Sequence, residues 1–381
     1  MDRRNFIKVV SVGSLAIATS PIIKAADSEI LPKELPETNI KDAVAIPRTK
    51  NSMPGRYPGK VALCKRMDSV VQGEVVESVA YDMLAASMLA LTGRRKLSRA
   101  WREFVSPKDI IGLKVNPIGG KLLSTSHAVV KSIIRQLEES GISRSNIIIW
   151  DRREGDLHDA GFTSDNYPGI KILGTEYCDE NGSFYGSDGK LLSEGRIDRN
   201  WYFYADVEEK YDAYTIPYMV NEGKYSYYSK ICTQEVTKII NVPILKNAGS
   251  AITCCMKNLG FGVITNTARL HKQFWHHTSA YVCAFPPVRD KVVLNIADAL
   301  KGCFDGGPGA NPQFICEYNS IIVGSDPVAV DCVGHGIVIN KRIQEGIQLK
   351  DRENSTTFLK LACDLKLGVS DIEKIEIINV K

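Results

Sequence analysis

The chain has 381 residues, of which 44% are hydrophobic and 24% are charged, which is the composition of an ordinary globular protein with a sizeable core. Its formal net charge is only +4, so we expect no general attraction to nucleic acid or to anionic lipid. After the N-terminal segment, no run approaches the roughly 20 apolar residues that a membrane span requires. The sequence therefore predicts a protein without a membrane span once that segment is removed.

The N-terminal segment carries paired arginines ahead of a soft apolar run. Arg3 and Arg4 are followed by Phe6 and then by small and apolar residues at positions 9–18. This arrangement resembles a twin-arginine signal peptide over residues 1–26. The resemblance implies the twin-arginine translocation machinery as a partner, and export of the folded protein to the periplasm or another extracytoplasmic compartment. The alternatives are an ordinary secretory signal and an N-terminus that is basic by chance.

The rest of the chain divides into a short irregular segment and a long ordered one. Residues 27–58 lack hydrophobic periodicity and indicate a linker or a wrapping arm, whereas 59–381 alternates apolar strands with helical patterns. The predicted strands span residues 60–64, 110–115, 147–150, 238–243, 314–323 and 374–380. The predicted helices span residues 76–92, 124–141, 251–259, 288–302, 327–340 and 354–365.

This alternation predicts an α/β fold with a mostly parallel sheet and helices on both faces. A strand, a helix and a second strand follow one another between residues 110 and 150, which is typical of a βαβ unit. Residues 160–230 interrupt the pattern, because they hold 11 of the 15 tyrosines and little helical periodicity. We predict a Tyr-rich β or irregular insertion there, whose tyrosines either form a satellite core or line a binding surface.

The ten cysteines are not spaced like a metal or disulfide framework. No Cys-x-x-Cys occurs, so the chain has no ferredoxin-type cluster motif and no zinc-ribbon motif. We expect most cysteines to be small buried apolar residues, and Cys303 and Cys316 are the first pair to examine for a disulfide. The glycines match neither a Walker loop nor a dinucleotide fingerprint, so the sequence predicts neither ATP nor NAD as a cofactor.

Polar residues follow several predicted strands at their carboxyl ends, which is where open α/β sheets bind ligands. Lys114 and Asn116 follow one strand, Lys246 follows another, and Lys257 and Asn258 precede two closely spaced glycines. A lysine and the backbone N–H groups of a Gly-rich loop can hold a carboxylate or phosphate. We therefore predict an anionic ligand bound by these residues, with Lys257 as a catalytic candidate. Alternatively, Asn258 ends a helix and the glycines form turns.

Acidic residues provide further candidates for the same edge of the sheet. Asp326 precedes Pro327 and is predicted first as a helix N-cap, with ligand binding as a second role. Asp305 opens a Gly- and Pro-rich loop and is a second candidate ligand-binding carboxylate. Asp331 and His335 are four residues apart and would share one face of a helix. They are candidates for catalysis, although such pairs also occur as simple hydrogen bonds.

The histidines offer a candidate site for a divalent metal, because His is the commonest transition-metal ligand. His271 with one of the adjacent His276 and His277, joined by His335 or Asp298, would give three or four ligands with an open position. The alternative is that these histidines are ordinary exposed or core residues. The sequence identifies neither the metal nor any other cofactor.

Four segments of the chain together resemble the DUF362 family of uncharacterised proteins: IGLKVNP, IINVPILKNAGSAITCCMKNLGFGV, IADALKGCFDGGPG and IIVGSDPVAVDCVG. The segments run from about residue 110 to 335, and the resemblance implies a DUF362-like α/β domain over 59–381. In that family the lysine that corresponds to Lys246 is often followed by Thr-His, whereas Asn247 follows it here. This difference removes a metal-ligating histidine, and the ferredoxin-type cysteines of some relatives are also missing.

The sequence therefore predicts an exported protein that binds an anionic ligand, or a metal or redox cofactor, at the carboxyl edge of its sheet. The export route and the iron–sulfur relatives favour a redox-associated enzyme. The alternative is a non-catalytic periplasmic protein that binds a ligand or chaperones a metal. A more remote analogy is the nickel pincer of lactate racemases, where a lysine in a Gly-rich segment also meets histidines.

Overall fold

The structure is a computed structural model. It describes residues 35–381 except 211, 213–214, 219, 221–222, 250–251 and 350–354. The predicted signal peptide, residues 1–26, and the first part of the predicted linker lie outside the described residues. Among the described helices, none has the length and apolar character needed to cross a bilayer.

The strands of the described residues alternate with helices along most of the chain. The strands are β1 (Lys60–Lys65), β2 (Val70–Val71), β3 (Glu74–Val75), β4 (Ile111–Lys114), β5 (Ile147–Arg153), β6 (Lys171–Glu176), β7 (Ile197–Tyr204), β8 (Tyr225–Ser229), β9 (Lys238–Asn241), β10 (Ile244–Asn247), β11 (Ile252–Thr253), β12 (Val292–Cys303), β13 (Ile315–Gly324) and β14 (Glu376–Val380). The helices are α1 (Ile40–Ala45), α2 (Glu77–Thr92), α3 (Leu97–Trp101), α4 (His127–Glu139), α5 (Glu154–Asp159), α6 (Cys255–Gly262), α7 (Leu270–Gln273), α8 (Trp275–Tyr281), α9 (Pro286–Arg289), α10 (Pro327–Gln344) and α11 (Thr357–Asp364).

Most strands join one large sheet with the order β14-β1-β13-β12-β9-β4-β5-β6. The pairings of β9, β4, β5 and β6 are all parallel, and so is that of β12 with β9. Only β13 runs the other way within this order, because it is antiparallel to both β12 and β1. β10 continues along β12 beyond the end of β9, and β11 pairs with β10. The predicted α/β fold with a mostly parallel sheet is confirmed.

Helices cover both faces of this sheet, and each face has its own core. Helices α2, α3 and α4 supply apolar residues to one core, including Leu84, Trp101 and Ile133. Helices α6, α8, α10 and α11 supply the other, which includes Met256 and Phe358. Central strands such as β4 and β5 are buried over most of their length because both of their faces are covered, and β5 begins with the apolar run Ile147–Trp150 before three charged residues.

The helix predicted over residues 288–302 is wrong, because most of this segment forms strand β12. Eleven of its twelve residues are buried, so the sequence lacks the alternation that identifies a half-exposed strand. The alanines at 297 and 299 also favour helix in isolation. Pairing with β9 and β13 on its two sides outweighs that local preference.

The insertion predicted at 160–230 is largely confirmed, with one correction. Its residues 171–176 are strand β6, which belongs to the main sheet. The remainder contains the two-stranded sheet β7–β8. Phe203 and Tyr228 of this hairpin pack into the core, while Tyr202, Tyr225 and Tyr227 contact one another on its outer side. Part of the cluster therefore forms core, as one of the two alternatives predicts, and a binding surface formed by the outer tyrosines stays a prediction.

The described part of the predicted linker lies against the domain. Arg289 donates hydrogen bonds to the carbonyl oxygens of Ala43, Ile46 and Pro47 at 3.0–3.2 Å. Met53 is fully buried. Residues 40–47 are therefore held by a guanidinium from the second core, as expected for a segment that wraps around a domain.

All ten cysteines are free thiols, and six of them are buried. Cys303 and Cys316 do not form a disulfide. In the β12–β13 pairing, Cys316 lies opposite Gly302, whereas Cys303 lies opposite Ile315. Because neighbouring residues of a strand point to opposite faces, the two thiols leave the sheet on different sides.

Candidate functional site

The candidate site lies where the chain leaves the sheet in two directions. After β4 it enters α4, which packs in one core, and after β9–β11 it enters α6, which packs in the other. Strands β4 and β9 are neighbours, so a crevice opens between their carboxyl ends. This is the topological switch point at which doubly wound sheets bind ligands.

A chain of buried asparagines fills the base of the crevice. The Asn116 amide donates to Asn258 Oδ1 at 3.1 Å, and the Asn258 amide donates to Asn241 Oδ1 at 2.8 Å. The Asn241 amide donates to Asn295 Oδ1 at 3.0 Å, and the Asn295 amide donates to the Ser325 carbonyl at 3.1 Å. The chain fixes the start of α6 relative to three strands, so the positions of side chains on that helix are well defined.

Lys114 lies on the buried side of the row of asparagines and does not line the cavity. Its side chain is fully buried, and its ammonium pairs with the Asp151 carboxylate and donates to Asn258 Oδ1 at 3.2 Å. Burial lowers the pKa of Lys114, and Asp151 opposes that shift. A Cβ on Gly262 would lie 2.5 Å from Lys114 Nζ, so this glycine leaves room for the ion pair. Lys114 therefore holds Asp151 and Asn258 in position and stabilises the base of the site.

The sequence predicts that a Gly-rich loop follows Lys257 and Asn258, but the structure places these residues inside helix α6, which extends to Gly262. Gly260 explains why the helix continues. A Cβ on Gly260 would lie 2.7 Å from the Cα of Ser279, so its absence lets α6 pack closely against α8. The glycines permit close packing within and against the helix, which is a use that sequence spacing does not distinguish from a loop.

Above the asparagine chain is a cavity of about 130 Å³. Its lining is formed by Asn116, Ile118, Asp151, Arg152, Lys246, Thr253, Lys257, Asn258, Phe261, Gly262, His271 and Pro308. Lys246 and Lys257 thus share one cavity with Asn116 and Asn258, as the sequence predicts. Lys114 reaches the lining only through its bond to Asn258.

The two cavity lysines are buried without a neutralising carboxylate. Lys246 is 0% and Lys257 is 7% exposed, and within the described residues neither makes an ion pair. Lys246 Nζ donates to the Ile118 carbonyl at 2.5 Å, and Lys257 Nζ lies 5.4 Å from the centroid of the Trp275 ring. Burial lowers the pKa of Lys246 to about 8, and burial with repulsion from Lys246 lowers the pKa of Lys257 to about 7.

Two further polar atoms on the cavity wall are buried and lack a hydrogen-bond partner among the described residues. These atoms are Asn116 Oδ1 and Thr253 Oγ1, on side chains that are 7% and 2% exposed. Buried polar groups are normally satisfied by protein, water or ligand. The hydroxyl of Thr253 can donate to an anion, and the Asn116 oxygen can accept from a hydroxyl or water.

Basic residues also surround the cavity mouth. Arg152 forms an ion pair with Glu176 at 3.5 Å and donates to Thr267 Oγ1. The His271 ring packs on Phe261 with 4.4 Å between the centroids, and its Nδ1 lies 2.8 Å from the Thr267 carbonyl oxygen. Desolvation of the ring, with repulsion from Lys257 and Arg152, lowers the pKa of His271. The imidazole is therefore neutral at neutral pH and does not cancel or add to the charge of the lysines.

Asp326 is an N-cap, as predicted. Its carboxylate accepts the Ala329 N–H at 2.9 Å and the N–H groups of Gly59 and Val369, each at 3.0 Å. Pro327 occupies the first turn of α10. Burial raises the pKa of Asp326 to about 6, against these hydrogen bonds. The carboxylate joins the start of α10 to two other segments, and it does not line the cavity.

Asp331 caps a different helix. Its two oxygens accept the N–H groups of Cys255 at 2.6 Å and Met256 at 2.9 Å, at the start of α6. Burial raises the pKa of Asp331 to about 6. The thiols of Cys254 and Cys255 lie close enough that the three residues form a potential metal-ligand group. Burial raises the pKa of both thiols in the metal-free protein, and the two backbone N–H groups that Asp331 accepts account for its role as a helix cap.

The other predicted site residues are dispersed. Asp305 lies 3.0 Å from the Arg342 guanidinium in an ion pair at the other end of α10. The ring of His276 packs against Trp275 and Phe358. His335 is half-buried on α10 and does not line the cavity, unlike His271. Among the residues described, the three histidines predicted to bind metal are not gathered into a ligand group.

A second, larger cavity of about 450 Å³ lies near the start of α4. Asp298 lines it, and its carboxylate accepts the N–H groups of Ser126 at 2.7 Å and Leu300 at 3.1 Å. The ammonium of Lys301, also on this wall, donates to the Gly73 carbonyl at 2.7 Å. This cavity has a carboxylate as well as a lysine on its wall, and Lys301 is only partly buried, whereas Lys246 and Lys257 are both buried.

Sequence reasoning missed several residues of the site. Thr253 lies in a segment whose pattern predicts a helix, and it has no motif of its own. Asn241 and Asn295 are polar residues inside apolar runs, which is the signal that indicates a buried polar network. The pattern around Asn295 also predicts a helix, which conceals its position on a strand.

The comparisons with known proteins concern the same part of the chain. Residues 204–335 match the family model described as Domain of unknown function (DUF362). This match supports the resemblance over those residues, which include Lys246, Thr253 and Lys257. No curated protein matches the chain. A crystal structure of a protein from Thermotoga maritima is similar at 10% sequence identity with a TM-score of 0.34, and the similarity covers 72% of this chain and 60% of that one.

Proposed function

We propose that this protein binds a small anionic ligand in the cavity between the carboxyl ends of β4 and β9. The observation that carries the proposal is the pair of buried lysines, Lys246 and Lys257, on one cavity wall without a carboxylate partner among the described residues. A buried ammonium is costly unless an anion or a hydrogen-bond acceptor compensates it. A bound carboxylate or phosphate would supply that compensation.

The neutral and polar groups of the wall suit the same ligand. Thr253 Oγ1 can donate to an anionic oxygen, and Asn116 Oδ1 can accept from a protonated oxygen. Asp151 is the acidic residue of the lining, and its ion pair with Lys114 neutralises its charge. The field at the cavity therefore stays positive, which favours anions over cations.

Thermal unfolding with added inorganic phosphate, sulfate and pyruvate tests the proposal. A ligand that binds only the folded protein raises the Tm by an amount that grows with the logarithm of its concentration once that exceeds the Kd. We expect at least one of these anions to raise the Tm of the wild type, and Lys246→Met with Lys257→Met to abolish the increase. Lys291→Met is the matched control, because Lys291 Nζ donates to three carbonyl oxygens away from the cavity. An unchanged response in the double variant would contradict the proposal.

We further propose that the protein is exported in its folded state through the twin-arginine route. The paired Arg3 and Arg4 ahead of the apolar run support this. Replacing both arginines with lysine should leave the protein in the cytoplasm of its host, as judged by cell fractionation. Continued export of that variant would favour an ordinary secretory signal.

A metal or redox cofactor remains the competing proposal for this chain. The group that favours it is Cys254, Cys255 and Asp331, whose potential ligand atoms lie within 4.8 Å of one another. Elemental analysis of protein purified from its native export route would show a stoichiometric metal if this group is loaded. Replacing Cys255 with Ser should then remove the metal, whereas a metal-free wild type would contradict the competing proposal.

A further inference from the structure

We infer that Lys257 is an amine nucleophile that forms an imine with a small 2-oxo acid whose carboxylate is held by Lys246. This inference deepens the proposed function, since it depends on anion binding in the same cavity. It adds an activity, because a lysine that forms an imine activates the neighbouring carbon atoms of its substrate.

The surroundings of the two ammonium groups differ in a way that assigns these roles. Lys246 Nζ donates to the Ile118 carbonyl at 2.5 Å, which fixes its position and leaves two protons for a ligand. Lys257 Nζ has no hydrogen-bond acceptor or ion pair among the described residues, and its recorded contact is the face of the Trp275 ring. An amine with no acceptor to hold its protons is suited to lose one and to present its lone pair.

The backbone of Lys257 is rigid, which a positioned nucleophile requires. It lies in the first turn of α6, a helix that is buried on all sides. Asp331 caps the start of that helix, and Asn258 ties it to β4 and β9. The Lys257 side chain therefore enters the cavity from a backbone that three separate contacts hold in place.

The electrostatics agree with this assignment. Burial and repulsion from Lys246 lower the pKa of Lys257 to about 7, so a large fraction of the amine is neutral at neutral pH. Burial lowers the pKa of Lys246 to about 8, and the Ile118 carbonyl accepts a hydrogen bond from its amine. A desolvated lysine beside a second cation is a recognised arrangement for imine chemistry.

The size of the cavity sets the class of substrate. Its volume is about 130 Å³, close to the roughly 150 Å³ of a cavity that holds benzene, which has about six non-hydrogen atoms. Pyruvate and glyoxylate are of that size and carry both a carboxylate and a carbonyl. A nucleotide or a sugar phosphate would fit only in part.

The proposed step is balanced without an oxidant or a reductant. The neutral amine of Lys257 attacks the carbonyl carbon, and a nitrogen–carbon bond forms as the π electrons move to oxygen. The oxygen takes a proton from nitrogen to give a carbinolamine. The carbon–oxygen bond then breaks, one proton from solvent leaves with the oxygen as water, and a protonated imine remains.

Reductive trapping tests the inference. The folded full-length protein is incubated with pyruvate or glyoxylate and sodium cyanoborohydride, and intact-mass and peptide mass spectrometry follow the adduct. We expect one adduct per chain at Lys257, with a trapping rate at least tenfold above that of exposed lysines. The rate should rise from pH 6 to pH 8 as the amine loses its proton, and excess lactate, which lacks the carbonyl, should slow it.

Three variants and one parallel measurement separate the outcomes. Lys257→Arg should abolish the adduct, Lys246→Met should raise the pyruvate concentration needed by at least tenfold, and Lys291→Met should change neither. Trapping spread over exposed lysines, or unaffected by lactate in the wild type, would overturn the inference. If pyruvate raises the Tm of the wild type but no adduct forms at Lys257, the imine chemistry is excluded and the proposed anion binding stands. If pyruvate, phosphate and sulfate all leave the Tm unchanged, both fail.

Discussion

Two pairs of buried charged residues differ in how completely the protein provides hydrogen-bond partners for them. The carboxylates of Asp326 and Asp331 accept five backbone N–H groups between them. The ammonium groups of Lys246 and Lys257 share one carbonyl hydrogen bond and a contact with an aromatic ring. Both pairs are almost fully buried, so burial alone does not distinguish them.

The two pairs differ in what the rest of the protein would lose if the charged side chain were removed. Removing a carboxylate leaves N–H groups of the protein without an acceptor, whereas removing a cavity lysine leaves little behind. A buried charge with complete hydrogen bonding stabilises the fold, and one that faces an open cavity is better explained by a ligand. Helix α6 connects the two cases, because Asp331 fixes its start and Lys257 extends from its first turn.

The largest effect should come from the carboxylate of Asp331. Asp331→Ala leaves the buried N–H groups of Cys255 and Met256 without acceptors, at a cost of about 1–3 kcal/mol each. We expect chemical denaturation to show a free energy of unfolding lower by about 2–6 kcal/mol. A loss below about 1 kcal/mol would show that the cap is not structural.

The next largest effect should be the difference in the free energy of unfolding between a variant at Lys291 and one at Lys257. Lys291→Met removes three hydrogen bonds to carbonyl oxygens and should cost about 1–3 kcal/mol. Lys257→Met replaces an unpaired buried ammonium by an apolar chain of similar length, so it should leave stability unchanged or raise it. Denaturation of both variants checks this order, and the reverse order would mean that Lys257 supports the fold.

Stability of the unliganded protein should depend on pH through the cavity lysines. Their pKa values of about 7 and about 8 lie below the value of about 10.4 for an unfolded chain. Between these values the unfolded state binds more protons, so the free energy of unfolding should rise with pH from about 7 to about 10. Anion affinity should fall over the first part of that range as the lysines lose their charge.

The double variant with methionine at 246 and 257 supplies the reference for that profile. Its stability between pH 7 and pH 10 should rise less than that of the wild type, by on the order of a few kcal/mol. Parallel profiles for the two proteins would show that the lysines titrate normally, and the electrostatic part of the account would fail.

The smallest expected effect concerns Thr253. Thr253→Val removes a hydroxyl that has no partner among the described residues, so stability should change by less than about 0.5 kcal/mol. Loss of one donor to an anion should weaken ligand binding by roughly fivefold, for about 1 kcal/mol. Calorimetric titration with whichever anion stabilises the wild type measures this change. A large loss of stability instead would show that the hydroxyl has a structural partner.

The sequence predicts the fold well where a strand is short and uniformly apolar, as in β4, β5 and β9. It fails at β12, because a strand buried on both faces loses its alternation and resembles a buried helix. The positions of the strand ends follow from the fold, so the meeting of Lys246 and Lys257 with Asn116 and Asn258 is predictable. The direction in which each side chain points cannot be predicted from the sequence.

Lys114 is the clearest case in which the sequence predicts the position of a residue but not the direction of its side chain. It ends a strand at the predicted edge, yet its side chain points inward to Asp151 because Gly262 leaves room for it there. His276 and His335 lie on helices that face other segments, and their sequence spacing gives no information on that packing. Distances between side chains from different helices depend on the tertiary structure, so a ligand set spread over several helices cannot be read from a single sequence.

The most direct test of the account is a crystal structure of the protein with selenate, whose selenium identifies the anion by anomalous scattering. Positive charge without a neutralising partner in the cavity predicts an anomalous peak between the ammonium groups of Lys246 and Lys257. The peak should be absent in the double methionine variant. Crystals of the wild type that hold selenate elsewhere and only water in this cavity would contradict the central claim.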